Sequence, residues 1–436
     1  MKKTNTNFVC NACGYQTGKW YGRCPECSSW NSFEEIQVQD VKKNSPSDFG
    51  SSAPSKISDI KSLEQKRVST GFEEFDRVLG GGIVPGSVIL LSGDPGIGKS
   101  TLLLQLALNL SGKDSFKVLY LTGEESESQV KLRAERILED KKKNLDLFIF
   151  SITDIDKGVF EAEKGKWDLV IVDSIQTMAS NSFPGFPGSV PQIRYATGKL
   201  VAYAKKNHIP VFLVGHVTKE GIVAGPMILS HMVDTVLYLE GQNMTGTRIL
   251  RSFKNRFGDT SEVGIFLMQE QGLVELKDAS SFFMDKNDVK VPGACLTVIM
   301  EGTRPILVEI QALVVPSALT FPRRVSTGIP EKRLELLLAV LQKNLKLPFE
   351  RMDVFVNVVG GLRITETASD LAVCLALISS LKNIPMNHNV AIAEIGLLGE
   401  LKTVLSLDKR VKEVGKLGYK NVLTVKDGRF LRELVK

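Results

Sequence analysis

The chain has 436 residues, 43% of them apolar and 24% charged, with a formal net charge of +6 at pH 7. That length predicts two or three domains, each able to bury its own core, and the composition is that of a globular protein in water. No uncharged apolar run of about 18 residues occurs, and the N-terminal MKKTNTNFVC lacks the apolar centre of a signal peptide, so a spanning helix is excluded and a cytoplasmic protein without a membrane partner is expected. The charge is mild; it permits a nucleic-acid partner without requiring one.

Cys10, Cys13, Cys24 and Cys27 open the chain with the spacing C-x2-C-x10-C-x2-C. Each pair suits a tight knuckle that aims two thiolates at one point, and tetrahedral Zn2+ is the expected occupant. A redox dithiol pair is the rival, and it lacks βαβ surroundings. Trp20, Tyr21 and Trp30 are expected to cover a core too small to hold without metal. Residues 1–34 form this finger, and 35–57, rich in Ser, Lys, Asp and Pro, read as a flexible linker.

The next domain spans 58–285. A helix carrying Phe72, Phe75, Val78 and Leu79 runs into three glycines, after which strands and helices alternate. Strands are expected at 87–92, 117–122, 147–152, 169–172 and 211–214, with helices after the first, over 127–138 and over 193–206. Runs that are apolar throughout, such as Leu169-Val-Ile-Val172, suit a parallel sheet covered by helices on both faces. Strands at 235–240, 249–254 and 264–269 lack intervening helices and predict an antiparallel extension. A second α/β unit, 286–436, carries strands at 294–300, 306–315, 353–358 and 391–395, with helices at 330–344 and 368–380. Cys295 and Cys374 stand alone in apolar runs and read as core.

The first strand feeds GDPGIGKST, which is Gly93, Asp94, Pro95, Gly96, Ile97, Gly98, Lys99, Ser100 and Thr101. This satisfies G-x-x-x-x-G-K-[ST] in strand–loop–helix context, so a chance glycine-rich turn is the weaker reading. The glycines let backbone N–H groups face phosphate oxygens, and the helix N-terminus adds positive charge. Lys99 reaches the β- and γ-phosphates; Ser100 ligates Mg2+. Asp173, at the end of an apolar strand, would hold the same ion, against the bland reading of an ordinary strand-end aspartate. Glu124 ends another strand and is assigned to the attacking water, with Glu125 its competitor. In Phe253-Lys-Asn-Arg-Phe-Gly258 two cations flank an asparagine. A solvated loop is one reading; a neighbouring subunit's contribution to γ-phosphate charge, through Lys254 and Arg256, is the other.

The finger, GDPGIGKST, TGEES (122–126), GHVTKEGIVAGP (215–226) and above all KNRFG (254–258) together resemble the RadA (Sms) family of bacterial DNA-repair ATPases, over nearly the whole chain. The resemblance implies an α/β fold with a small N-terminal zinc module, a RecA-like P-loop core and a C-terminal domain similar to the proteolytic domain of Lon. It further implies ATP, Mg2+ and Zn2+ as cofactors, a homo-hexameric ring, single-stranded and branched DNA as substrate, and a RecA-type recombinase as partner. The ring would drive branch migration or unwinding, with Lys254 and Arg256 serving hydrolysis across the subunit interface and DNA-dependent activity. Two irregular segments, 181–191 and 218–226, lie where such rings place DNA loops; Lys219 supplies a charge there. Phe183 and Phe186 either stack on bases or anchor their loop, and His216 is a nucleotide sensor or a structural residue.

In the Lon-like region, Ala368 falls at the nucleophile position and Asp408 at that of the lysine; Ser369 and Lys409 are each one residue away, about 100° round a helix. The domain therefore reads as a non-proteolytic scaffold. Lys402, Lys409, Arg410, Lys412, Lys416 and Lys420 make the last helix region basic, either as a solvated face or towards DNA. The leading reading is a DNA-dependent ring ATPase; a Lon-type ATP-dependent protease and a nucleotide-gated scaffold for recombination proteins are its alternatives.

Overall fold

A computed structural model describes residues 6–10, 15–26, 28–37, 56, 66–138, 145–215, 229–241, 246–276, 291–385 and 390–435. The chain divides into two compact units: Met1–Gly241 with Gly246–Glu275, and Gln242–Thr245 with Leu276–Lys436. At the N-terminus three short strands, β1 (Thr6–Cys10), β2 (Gln16–Thr17) and β3 (Phe33–Gln37), pair antiparallel in the order β2-β1-β3. Cys10, Cys24 and Phe33 are buried together, with Phe8 packed against them. The expected aromatic cover is not there: Trp20, Tyr21 and Trp30 are 54%, 45% and 72% exposed. Among the described residues Phe33 is the buried ring of the ribbon, and Tyr15 and Tyr21 lie against it at 6.4 and 6.2 Å between centroids.

The rest of the first unit is one nine-stranded sheet. Its elements run α1 (Glu73–Leu79), β4 (Val88–Gly93), α2 (Lys99–Ser111), β5 (Val118–Thr122), α3 (Glu127–Leu138), β6 (Leu147–Ser151), α4 (Ile155–Lys164), β7 (Leu169–Asp173), α5 (Val190–Asn207), β8 (Val211–Val214), β9 (Thr235–Gly241), β10 (Thr247–Asn255), β11 (Val263–Gln269) and β12 (Gly272–Glu275). The strand order is β12-β11-β10-β9-β4-β8-β7-β5-β6. From β9 to β6 every pairing is parallel, and from β9 to β12 antiparallel. The central strands β4, β5, β7 and β8 are buried at every position, because one apolar cluster fills the face under α1, α2 and α3 and another the face under α4 and α5.

Three elements differ from expectation, the first being β12, a short edge strand that was not foreseen. The helix α4 was not legible, since IDKGVFEAEK carries a glycine and five charges; its start is fixed by Asp154, whose side chain accepts from the Asp156 and Lys157 N–H groups. The irregular segment ends earlier than Pro191, for α5 begins at Val190 with the proline in its first turn, where the missing N–H costs nothing.

In the second unit β13 (Ala294–Glu301), β14 (Arg304–Pro316), β15 (Arg324–Thr327), α6 (Glu331–Leu345), β16 (Met352–Val358), α7 (Asp370–Lys382), β17 (Val390–Ala391), β18 (Glu394–Ile395), β19 (Leu401–Lys402), α8 (Leu407–Lys416) and β20 (Val422–Leu423) follow in order. Six strands form a mixed sheet, β15-β16-β14-β13-β17-β20, and β18-β19 stand apart as a pair. The apolar run 391–395 is therefore two short strands in separate sheets rather than one. Cys295 and Cys374 are buried, and burial pushes both thiols up, that of Cys295 to about 12.

Candidate functional site

The loop after β4 is shaped by two glycines. Gly93 has φ 148°, and a Cβ there would run into the Leu239 carbonyl of β9. Gly96 has φ 74°, and nothing lies within 4 Å of where its Cβ would stand, so bare backbone faces open space of the kind a phosphate fills. Asp94, Pro95 and Gly96 are exposed, whereas Ile97 and Lys99 are buried. Gly98 caps α2, whose first three residues are Lys99, Ser100 and Thr101.

Lys99 is 3% exposed, and its ammonium donates to the carbonyls of Gly93 at 2.8 Å and Asp94 at 2.9 Å. Burial pulls its pKa down to about 8 against the opposing pull of Asp173, Asp94 and Glu124. Asp173 ends β7 and is 6% exposed; its Oδ2 accepts a hydrogen bond of 2.6 Å from the Tyr120 hydroxyl on β5. Burial first, and the Asp173 charge second, hold the Tyr120 phenol well above its ordinary range. The adjacent carboxylates at the end of β5 diverge. Glu124 is exposed and accepts from the Ser174 hydroxyl. Glu125 is ion-paired with Arg133 of α3.

Arg248, on β10 and 5% exposed, braces the loop by donating from Nε to the Ile97 carbonyl at 2.9 Å and from Nη1 to its neighbour Thr247 at 3.0 Å. Tyr238 of β9 donates to Asp94 at 3.4 Å. Sequence reading missed Arg248, Tyr120 and Arg133. For Tyr120 the strand register is the signal: it sits opposite Ile171, two residues before Asp173 and on its face.

KNRFG lies at the other end of the sheet. Ile89 of β4 pairs with Thr235, and Gly93 with Leu239, while Asn255 pairs with Thr235. The motif is thus about 13 Å along the strands from the end that carries the loop. Lys254 donates to the carbonyls of Ser230 at 2.6 Å and Val233 at 2.8 Å, and burial, then Arg256, lower its pKa. Arg256 is ion-paired with Asp234 at 3.3 Å and remains 57% exposed. Asp234 is also bound by Lys205 and by the Val88 N–H. Asn255 ties the turn down, donating to Val78 and Leu79 and accepting from Thr235 and Phe257.

Residues 53–221 match the AAA domain family, and residues 8–35 match a rubredoxin metal binding domain. The DNA repair protein RadA of Bacillus subtilis (strain 168) is 46% identical over 429 residues, covering 97% of this chain and 93% of its own length. RadA of Streptococcus pyogenes serotype M6 is 46% identical over 430 residues (98% and 94%), and that of Campylobacter jejuni 44% over 427 (97% and 94%). The chain belongs to the RadA family of DNA repair proteins. It carries an ATPase domain and an N-terminal zinc-ribbon module. A crystal structure of the RadB recombinase aligns over 48% of this chain and 99% of its own, at 23% identity and a TM-score of 0.39.

The residues present fit the groups this family implies. The Gly93–Thr101 loop suits a nucleoside triphosphate, Ser100 and Asp173 offer hard oxygens to Mg2+, and Cys10 and Cys24 share one small core as thiolate ligands of a common zinc would. Cys13, Cys27, His216 and Lys219 lie outside the described residues. Phe183 stacks on Tyr195 with centroids 4.5 Å apart, anchoring its loop, while Phe186 is 58% exposed. Among the described residues no helix is long and apolar enough to cross a membrane.

In the second unit Ala368 and Ser369 are buried in the turn before α7, and Asp408 and Lys409 are exposed on α8. Arg410 does not belong to the basic face: it is 1% exposed and forms a two-pronged pair with Glu366, at 2.7 Å from Nη1 to Oε1. Its place in a run of lysines disguised that role. Lys402, Lys409, Lys412, Lys416 and Lys420 are exposed.

Proposed function

We propose that the chain is a DNA-dependent ATPase that works as a ring-shaped homo-hexamer, driving branch migration and unwinding of recombination intermediates on single-stranded and branched DNA. Family membership supports the repair setting, in which a RecA-type recombinase is the natural partner. Bound Mg2+ would neutralise phosphate charge, held by Ser100 and Asp173. Lys99 binds the β- and γ-phosphates, and Glu124 orients the attacking water. Arg133 neutralises Glu125, which favours Glu124 for that role. Lys219 contacts DNA, and the second unit is a Lon-like scaffold without peptidase chemistry, consistent with the buried Ser369 and the alanine beside it.

The observation that carries the assembly is the position of KNRFG at the opposite end of the sheet from the loop of its own chain. A charge there serves a nucleotide only if that nucleotide is held by another copy. Arg256 suits the task, being half-exposed, and its partner Asp234 keeps Lys205 when the guanidinium leaves. Lys254, fixed on two carbonyls, shapes the turn. The test mixes Lys99→Ala with Arg256→Ala protein and measures ATP turnover with single-stranded DNA. Each variant alone should be inactive and the mixture should regain turnover, because some interfaces then pair an intact loop with an intact arginine. Full activity of Arg256→Ala alone, absence of recovery, or turnover of the intact chain indifferent to DNA would each defeat the reading.

A further inference from the structure

We infer that Tyr120 is a positioning residue for the magnesium site: its hydroxyl holds Asp173 so that the carboxylate meets the ion in one fixed orientation. Tyr120 stands in the middle of Val118-Leu119-Tyr120-Leu121-Thr122, a strand buried at every position. A phenylalanine would fill the same space. The hydroxyl is a buried polar group and has to be bonded, and the partner it finds is Asp173 Oδ2 at 2.6 Å. Fifty-three residues separate the two in sequence; the adjacency of β5 and β7 brings them together. One carboxylate oxygen is thereby occupied, and the other would remain to hold the ion, directly or through water.

Asp173 is almost wholly buried, so solvent cannot replace the lost donor. A ligand carboxylate without its supporting hydrogen bond binds metal about 10–100-fold more weakly. The inference rests on the reading of Asp173 as the metal-holding carboxylate, and the experiment separates the two. Full-length Tyr120→Phe, Asp173→Asn and the double variant are compared by Mn2+ titration with ADP, followed by electron paramagnetic resonance, and by ADP binding in EDTA. Tyr120→Phe should weaken Mn2+ at least about tenfold and leave metal-free ADP binding unchanged. The double variant should lose no more than Asp173→Asn alone, since Tyr120 acts through that carboxylate.

Unchanged Mn2+ affinity in Tyr120→Phe, with a loss in Asp173→Asn, overturns the inference alone. Unchanged affinity in Asp173→Asn overturns the underlying reading. An equal loss of metal-bound and metal-free ADP binding in Tyr120→Phe means that the ring merely packs the site, and sinks the inference too. If Tyr120→Phe fails to fold, the double variant, in which no buried charge is orphaned, supplies the comparison with Asp173→Asn; a further tenfold loss in it would then overturn the idea.

Discussion

Lys99 is a cation stored in a place that disfavours cations. Its ammonium rests on two loop carbonyls, and burial holds its pKa near 8 although Asp173, Asp94 and Glu124 all pull the other way. A polyphosphate bound beside it adds negative charge and pulls the pKa back up. Nucleotide binding should therefore take up a proton in the window from about pH 8 towards 10.5, where the free site has lost its charge and the filled site keeps it. Below about pH 7 the uptake should vanish, because both states are protonated. Calorimetry at pH 8.5 in buffers of different ionisation enthalpy reads this directly, and Lys99→Met should abolish it. Uptake that is flat from pH 6.5 to 9 would mean that Lys99 is not the group facing the phosphates. The same residue shows what sequence conveys at this scale: the motif spacing named Lys99, Ser100 and Asp173. It gave no hint of Arg248 or Tyr120, because their partners Ile97 and Asp173 are 151 and 53 residues distant and meet them only through strand order.

Elements were legible where period and burial agree. The parallel strands β4, β5, β7 and β8 are apolar without interruption and read clearly, whereas α4 was hidden by Gly158 and its charges. The 391–395 run was misread because apolar content marks burial, not which sheet a strand joins. The KNRFG turn is an element fixed by one side chain. Asn255 makes four hydrogen bonds, to Val78, Leu79, Thr235 and Phe257. Asn255→Ala leaves those groups without their partner and should cost about 2–3 kcal/mol, lowering the melting midpoint by about 5–10 °C. Thermal unfolding followed by circular dichroism checks this. A shift under about 2 °C would show that the turn is held instead by Lys254 and by Arg67, which donates to the Phe257 carbonyl at 2.6 Å.

At the scale of the whole molecule, the ribbon and the nine-stranded sheet differ in what stabilises them. The sheet has two apolar clusters of its own; among its described residues the ribbon buries little beyond Cys10, Cys24, Phe33 and a flanking Phe8. A core of that size does not hold a fold without a metal. Chelation, or Cys10→Ser, should therefore abolish amide-exchange protection in β1 and β3 and leave that of β4, β5, β7 and β8 intact. Ribbon protection that survives chelation, or a sheet that unfolds with it, would show that the two are not independently stabilised. The metal-dependent ribbon was legible in the cysteine spacing. The exposure of Trp20 and Trp30 was not, since composition does not say which rings of a short ribbon face inward.

The placing of Arg256 and of the Gly93–Thr101 loop at opposite ends of one sheet has a consequence for symmetry. If each site is finished by the next copy, the contact joins unlike surfaces, the loop end of one chain against the far end of another. A two-fold pair, with the sheets side by side and reversed, would finish both sites at once and stop at two copies. A head-to-tail contact finishes one site per interface and leaves an end free, so it closes as a ring when the rotation per step divides a full turn and otherwise continues as a helix. Under that geometry a copy defective at one end alone remains a competent neighbour at the other, so damage to the assembly is counted by interface, not by subunit.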